Sequence, residues 1–276
     1  MKDSEIKKVV RKGYAEIAKK NSSCCATPSC CGGSAAPTQN ISKAIGYSDE
    51  EMTSVPEGAN LGLGCGNPVA LASLAEGETV LDLGSGAGFD CFLAANKVGS
   101  RGKVIGVDMT PEMIDKAREN ARNGNYENVE FRLGEIENIP AADNSVDAVI
   151  SNCVINLSPD KKRVFSEAFR VLKPGGRLMI SDIVLLKELP DFVKESVAAY
   201  IGCVSGAVMK GDYLEAITEA GFQQVKLIDE TSFPIDCIVN DPTAQAIIKE
   251  MNLPADKIKE AASSVVSIKV QGIKPG

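Results

Sequence analysis

From Thr79 to Ile183 short apolar runs alternate with amphipathic ones, and this alternation limits the possible folds more than any other feature of the chain. Val80-Leu81-Asp82-Leu83 reads as a buried strand, followed by a glycine turn and an apolar helix over Phe89–Val98. A second strand, Lys103–Asp108, runs into Thr110-Pro111-Glu112, where Thr caps and Pro takes the first position of a helix reaching about Arg122. A third strand (Val129–Leu133), a fourth (Ala148–Ser151), a helix (Asp160–Leu172), a Lys173-Pro174-Gly175-Gly176 turn and a fifth strand (Arg177–Ile183) complete the run. Strands separated by helices build a parallel sheet with right-handed crossovers, so the spacing predicts an α/β fold.

The flanks read differently. Residues 4–20 put Ile6, Val9, Val10, Gly13, Ile17 and Ala18 on one helical face and Lys and Arg on the other, which predicts an amphipathic docking helix. Residues 21–40 turn to Ser, Gly, Pro, Thr, Ala and two Cys-Cys pairs and read as a loop. Gly46–Glu57 reads as a short helix begun by Ser48. Beyond Ile183, helical segments are expected over Leu189–Gly202 and Lys210–Ala220 and a sixth strand over Phe222–Ile228. Val265–Ile273 can pair with that strand as a seventh, leaving 231–262 as an excursion. The expected division is 1–56 as an N-terminal helix and Cys-rich loop, 57–185 as the core, and 186–276 as acceptor-side helices with the last two strands.

Composition removes several chemistries. There is no histidine among 276 residues, so a Ser-His-Asp triad, a Cys-His dyad and an imidazole zinc ligand are all impossible. With 30 Lys+Arg against 37 Asp+Glu the net charge is −7, which offers no footprint for a phosphate backbone and argues against a nucleic-acid partner. The uncharged stretch Gly58–Ala75 is broken by Gly, Asn and Pro, so no membrane association is expected. The first residues, MKDSEIKKVVRKG, lack the apolar core of a signal peptide, so a cytoplasmic location is expected. The nine cysteines there are more plausibly thiols, ligands or redox groups than a disulfide framework.

Gly84-Ser85-Gly86-Ala87-Gly88 sits where the first strand meets the first helix. The spacing is G-x-G-x-G, and Phe89 stands where a dinucleotide fold places its third glycine, which argues against a nicotinamide cofactor. Gly-Lys-[Ser/Thr] is also missing from this loop, so it is not a triphosphate loop. Asp108 ends the second strand as an acceptor suited to two ribose hydroxyls; the bland alternative is that the glycines only permit a turn and Asp108 only caps a helix. Strand, glycine loop, helix, and strand ending in Asp together resemble the class I S-adenosylmethionine-dependent methyltransferases. That resemblance implies a Rossmann-like seven-stranded sheet with S-adenosylmethionine as cofactor. It further implies that Gly84, Gly86 and Gly88 approach the methionine part, Asp82 faces the amino-acid end, Asp108 holds the ribose, Glu135 meets the adenine amino group, and Met109 is a further cofactor-binding residue.

Four cysteines, Cys24, Cys25, Cys30 and Cys31, fall in the loop without C-x-x-C spacing, and exposed thiols or soft-metal capture remain equal readings. Cys91 reads as a small hydrophobe, and Cys237 is undecided. Cys65 lies in Gly62-Leu63-Gly64-Cys65-Gly66-Asn67-Pro68, Cys153 in Ser151-Asn152-Cys153-Val154-Ile155-Asn156-Leu157, and Cys203 in Gly202-Cys203-Val204-Ser205-Gly206-Ala207. In a doubly wound sheet the loop after the fourth strand lies beside the loop after the first, which places Cys153 near the glycine loop.

With Tyr47-Ser48 and Val55-Pro56-Glu57-Gly58-Ala59-Asn60-Leu61, these segments are similar to the arsenite methyltransferases over most of residues 42–230. The resemblance implies that Cys65, Cys153 and Cys203 bind arsenic(III) from arsenite or its thiol conjugates. It also implies a thiol reductant, glutathione or thioredoxin-like, as partner and arsenic detoxification as the role. A further N-terminal cysteine of that family has no unique counterpart among the four in the loop. Two rivals are a carbon methyltransferase acting on a quinone or lipid-like acceptor, which has no use for three separated cysteines, and a non-catalytic metalloid-binding protein.

Overall fold

In the computed structural model, which describes residues 3–20, 37–194, 197–232 and 263–276, four helices precede the sheet: α1 (Asp3–Lys20), α2 (Pro37–Ala44), α3 (Asp49–Thr53) and α4 (Pro68–Leu71). There follow β1 (Thr79–Leu83), α5 (Phe89–Val98), β2 (Lys103–Asp108), α6 (Pro111–Asn123), β3 (Val129–Leu133), β4 (Val146–Asn152), a 3-10 turn (Ile155–Leu157), α7 (Lys161–Val171) and β5 (Leu172–Leu185). The last elements are α8 (Asp191–Lys194), α9 (Val197–Ile201), α10 (Lys210–Glu219), β6 (Gln223–Ser232) and β7 (Val265–Ile273).

The strands form one sheet in the order β3-β2-β1-β4-β5-β7-β6. β1 to β5 pair in parallel, and β7 runs antiparallel to both β5 and β6. This is the class I methyltransferase fold. Its two apolar faces follow from the two-residue period of a strand. Leu81, Leu83, Val149, Leu178 and Ile180 point to one side, against Val164 and Phe165 of α7 and Tyr213 and Ile217 of α10. Val80, Ala148, Ile150 and Met179 point to the other, against Phe92 of α5 and Ile114 and Ala117 of α6. Each fully buried side chain of this size contributes roughly 1.5–3 kcal/mol.

A third cluster lies beyond the carboxyl ends of the strands and joins Val10 of α1 to Cys65, Ile183, Leu185, Leu189, Ala199 and Cys203. Parallel strands end at one edge of the sheet, so the loops after β1, β2, β4 and β5 converge there.

Several expectations need correction. α2 begins inside the stretch read as loop, opened by Pro37 at a position where a missing N–H costs nothing. Of the helix expected over Leu189–Gly202, the described residues show α8 and α9. Thr110 precedes α6 but makes no side-chain cap; the Asp108 carboxylate accepts from its N–H instead, at 2.8 Å. The Lys173–Gly176 turn is a bulge within β5, where pairing jumps from Val146↔Leu172 to Ala148↔Arg177 around a positive φ at Gly175. The capping of α3 is as expected: Ser48 Oγ accepts from Glu51 N–H, and Glu51 Oε2 accepts from Ser48 N–H. Residues 21–36 and 233–262, with Cys24, Cys25, Cys30, Cys31, Cys237 and the expected excursion, lie outside the described residues.

Candidate active site

The loop after β1 is shaped by its backbone. Gly84, Gly86 and Gly88 have φ of 70°, 52° and 96°, a region that costs an L side chain energy and glycine nothing. Two of them also lack room: a Cβ on Gly84 would sit 2.3 Å from Val154 Cγ2, and one on Gly88 would sit 2.7 Å from Phe131 and Phe92. Gly86 differs, because a Cβ there meets no atom within 4 Å, so its conformation and not the protein's packing calls for glycine. The Gly86 N–H donates to Asp108 Oδ2 at 3.0 Å, which ties the end of β2 to the loop after β1. Burial pushes the Asp108 carboxyl up, opposed by these backbone donors. Asp82, one residue before the end of β1, is buried and accepts from the Cys91 thiol at 3.2 Å; burial and nearby Asp90 push its carboxyl well up.

β4 neighbours β1 with Ser151 opposite Leu83, so the Cys153 loop starts beside the glycine loop. Asn152, the last residue of β4, anchors the Cys65 segment: its Oδ1 accepts from Cys65 N–H at 3.0 Å and its Nδ2 reaches Gly66 O and Tyr47 Oη, both at 2.8 Å. Tyr47 donates to Asp90 Oδ1 at 2.6 Å, and burial pushes Asp90 up to about 6. Ser267 of β7 donates to Cys65 O at 2.8 Å. Gly66 is required by close approach, since a Cβ there would lie 1.9 Å from Ser181 Oγ. These contacts hold Cys65 over β4 and β5 although it precedes β1 in sequence.

Cys153 and Cys203 have φ of 57° and 63°, left-handed conformations that cost a non-glycine residue about 1–3 kcal/mol each and persist where the surroundings over-determine them. The Cys153 N–H donates to Ser181 O at 2.8 Å, and the Cys203 thiol donates to Cys153 O at 2.8 Å. The Cys153 thiol contacts both the Cys203 and Cys65 thiols; these contacts and burial push it well above the ordinary thiol range. The three cysteines expected to act together are therefore brought together, with Cys153 in the middle.

Asp182, near the end of β5, completes the cluster. A carboxylate oxygen and the Cys65 and Cys153 sulfurs lie within 4.8 Å of one another. Asp182 Oδ1 accepts from Asn156 Nδ2 and Ile183 N–H, both at 2.9 Å, and Oδ2 accepts from Tyr213 Oη at 2.9 Å. Burial pushes this carboxyl up to about 6.

Helix α1 crosses both halves of the site. Lys7 Nζ pairs with Glu135 at 2.8 Å and Glu137 at 3.1 Å, and Arg11 approaches Glu135 at 3.6 Å. Tyr14 Oη donates to Ile201 O at 3.2 Å and lies 4.0 Å from Cys203 Sγ. Met109 packs on the same cluster as Tyr14.

Residues 74–221 match the family described as a methyltransferase domain. An arsenite methyltransferase of Halobacterium salinarum is 52% identical over 231 residues, covering 81% of this chain and 59% of that protein. The human arsenite methyltransferase is 32% identical, covering 83% of this chain and 61% of its own length. A solved arsenic(III) S-adenosylmethionine methyltransferase of Chlamydomonas reinhardtii superposes with a TM-score of 0.60 at 31% identity, over 88% of this chain and 75% of that one. The chain belongs to the arsenite methyltransferase family. It spans about three fifths of the length of these two curated relatives.

In this arsenite methyltransferase family member, sequence reasoning singled out the three cysteines, the glycine loop, Asp82, Asp108, Met109 and Glu135. It did not single out Asn152, Asp182, Tyr14 or Lys7. Asn152 stands inside the quoted segment around Cys153 but carried no separate signal. Asp182 had one: a carboxylate in Leu178-Met179-Ile180-Ser181-Asp182-Ile183-Val184, at the functional end of a buried strand. Tyr14 and Lys7 had none, because where a helix docks is not written in its period.

Proposed function

We propose that this protein transfers a methyl group from S-adenosylmethionine to trivalent arsenic held by Cys65, Cys153 and Cys203. The observation that carries this reading is the meeting of those thiols beside the glycine loop, two of them on strained backbone. The donor set suits the substrate: arsenic(III) is soft and thiophilic, and three thiolates leave it a pyramid with a lone pair.

Arsenite enters by exchange. Three S–H and three As–O bonds break, three As–S and three O–H bonds form, and the hydroxyls leave as water with no change of oxidation state. The thiols carry their own protons to the leaving groups, so no histidine is needed.

The residues after β1 and β2 fit the donor. Gly86 offers a backbone cradle, and Asp108, held by two amides, keeps lone pairs for hydroxyls. Gly84, Gly88 and Asp82 would hold its amino-acid end and Glu135 its adenine, with Met109 among the residues that would bind it. S-adenosylmethionine, when bound, supplies an electrophilic sulfonium methyl for the arsenic lone pair. The protein's contribution is to position the arsenic, and good orientation is worth roughly 7–11 kcal/mol. Methylation raises arsenic by two units of formal oxidation state; two thiolates return two electrons as they join in a disulfide, and a glutathione- or thioredoxin-like thiol reopens it. Among the described residues no helix is long and apolar enough to cross a membrane.

Arsenic-edge X-ray absorption on the protein incubated with arsenite tests the assignment. Three As–S neighbours are expected, falling by one in a Cys203→Ser chain; an arsenic shell of oxygen alone contradicts it.

A further inference from the structure

Arsenite uses the thiols, yet the cluster also contains a buried carboxylate that trivalent arsenic has little use for. Cys65 Sγ, Cys153 Sγ and one Asp182 oxygen lie within 4.8 Å of one another, all three on buried or half-buried side chains. Two thiolates and a carboxylate make a borderline donor set, matched to a zinc-type divalent cation better than to the softest ions. We propose that Cys65, Cys153 and Asp182 form a binding site for a zinc-type divalent cation, which overlaps the arsenic site but depends on a ligand that arsenic does not use.

The geometry is close to what such an ion needs. Zinc takes sulfur at about 2.3 Å and carboxylate oxygen at about 2.0–2.2 Å in a tetrahedron, so its ligand atoms stand roughly 3.5–3.8 Å apart. The cluster has at most about 1.3 Å to close. Its carboxylate is already oriented in the manner of a metal ligand, with Tyr213 donating to Oδ2 and Asn156 and Ile183 to Oδ1. The Lys161 ammonium lies near enough to act on Asp182, and it offsets part of the negative charge of the donors. Cys203, whose thiol contacts Cys153, lies beside the group. Binding displaces two thiol protons to solvent, forms two metal–sulfur bonds and one metal–oxygen bond, and moves no electrons.

The cation site stands whether or not arsenite is the substrate. The test uses the full chain with Cys24, Cys25, Cys30, Cys31 and Cys237 changed to Ser, so that only the described cysteines remain. Zinc affinity is measured against a chromophoric chelator, and arsenite affinity separately. We expect one zinc per chain, an Asp182→Asn chain about tenfold or more weaker for zinc, and arsenite binding changed by less than about threefold, since a carboxylate contributes little to a soft ion. Equal zinc affinity with and without the Asp182 carboxylate, or zinc and arsenite weakened alike, overturns the proposal. Cadmium NMR of the chain with Asp182 intact covers the case in which Asp182→Asn fails to fold. A mixed sulfur–oxygen resonance supports the site, and an all-sulfur one overturns it. Failure of the arsenic assignment shows separately, as loss of arsenite binding with zinc binding intact.

Discussion

The two halves of the site both use left-handed backbone and settle its cost in opposite ways. After β1 the positive φ values fall on Gly84, Gly86 and Gly88; on the acceptor side they fall on Cys153 and Cys203. Glycine suffices where the loop's task is to bring its own N–H groups close to a ligand. Where a thiol must be delivered, the side chain cannot be given up, and the surrounding fold holds the strain: Ser181 O and Tyr200 O accept from the two cysteine N–H groups, and the Cys203 thiol is fastened to Cys153 O. Strain borne by a side chain that could be exchanged for glycine at little structural cost points to function.

Five variants test this contrast. Gly84→Ala forces a Cβ against Val154 in a left-handed conformation, so a loss of about 3 kcal/mol or more is expected in chemical denaturation, while Cys153→Gly, which relieves strain as it removes a small side chain, changes stability by under about 1.5 kcal/mol. Comparable losses would erase the difference between the halves. In steady-state assays Cys153→Ser lowers methylation by about a hundredfold or more, because arsenic loses the thiol in the middle of its site. Asp108→Ala weakens donor binding about tenfold or more in calorimetry and leaves arsenite affinity alone, which separates the halves functionally. The smallest effect is Lys7→Ala at the helix that spans both: Lys7 and Glu135 are partly exposed and the buried Glu137 keeps its Ser158 donor, so a stability change of about 1 kcal/mol is expected in thermal melts.

The acceptor half also carries a pH signature. Asp182 is held protonated up to about 6, above its ordinary value of 3.8. The folded state therefore binds its proton more tightly than the unfolded chain, and this contribution to stability is lost as pH rises from about 4 through 6, amounting to a few kcal/mol on the order of 1.4 per unit of pH. Asp182→Asn flattens that fall, as denaturation midpoints taken across the window will show; an unchanged slope contradicts the assignment.

The sheet and the donor half were legible because their signals are local. Strand period, glycine spacing and the Asp after β2 each lie within a few residues of one another. The C-terminal pairing was legible in part: Val265–Ile273 showed as a strand, but its insertion between β5 and β6 depends on packing across the sheet. The cysteines were named through family resemblance, and nothing in their spacing shows that Cys65, upstream of the sheet, reaches β4 through Asn152 and β7 through Ser267. The contacts of α1 were invisible for the same reason, since Lys7 and Glu135 are 128 residues apart.

The central claim is that these thiols present arsenic to a donor bound at the glycine loop. Incubating the protein with arsenite, S-adenosylmethionine and a thiol, then separating arsenic species by chromatography with elemental detection, tests it most directly. The account predicts methylated arsenic from the unmodified chain and an initial rate about a hundredfold or more lower from Cys153→Ser. No product from the unmodified chain, or full product from Cys153→Ser, would contradict it.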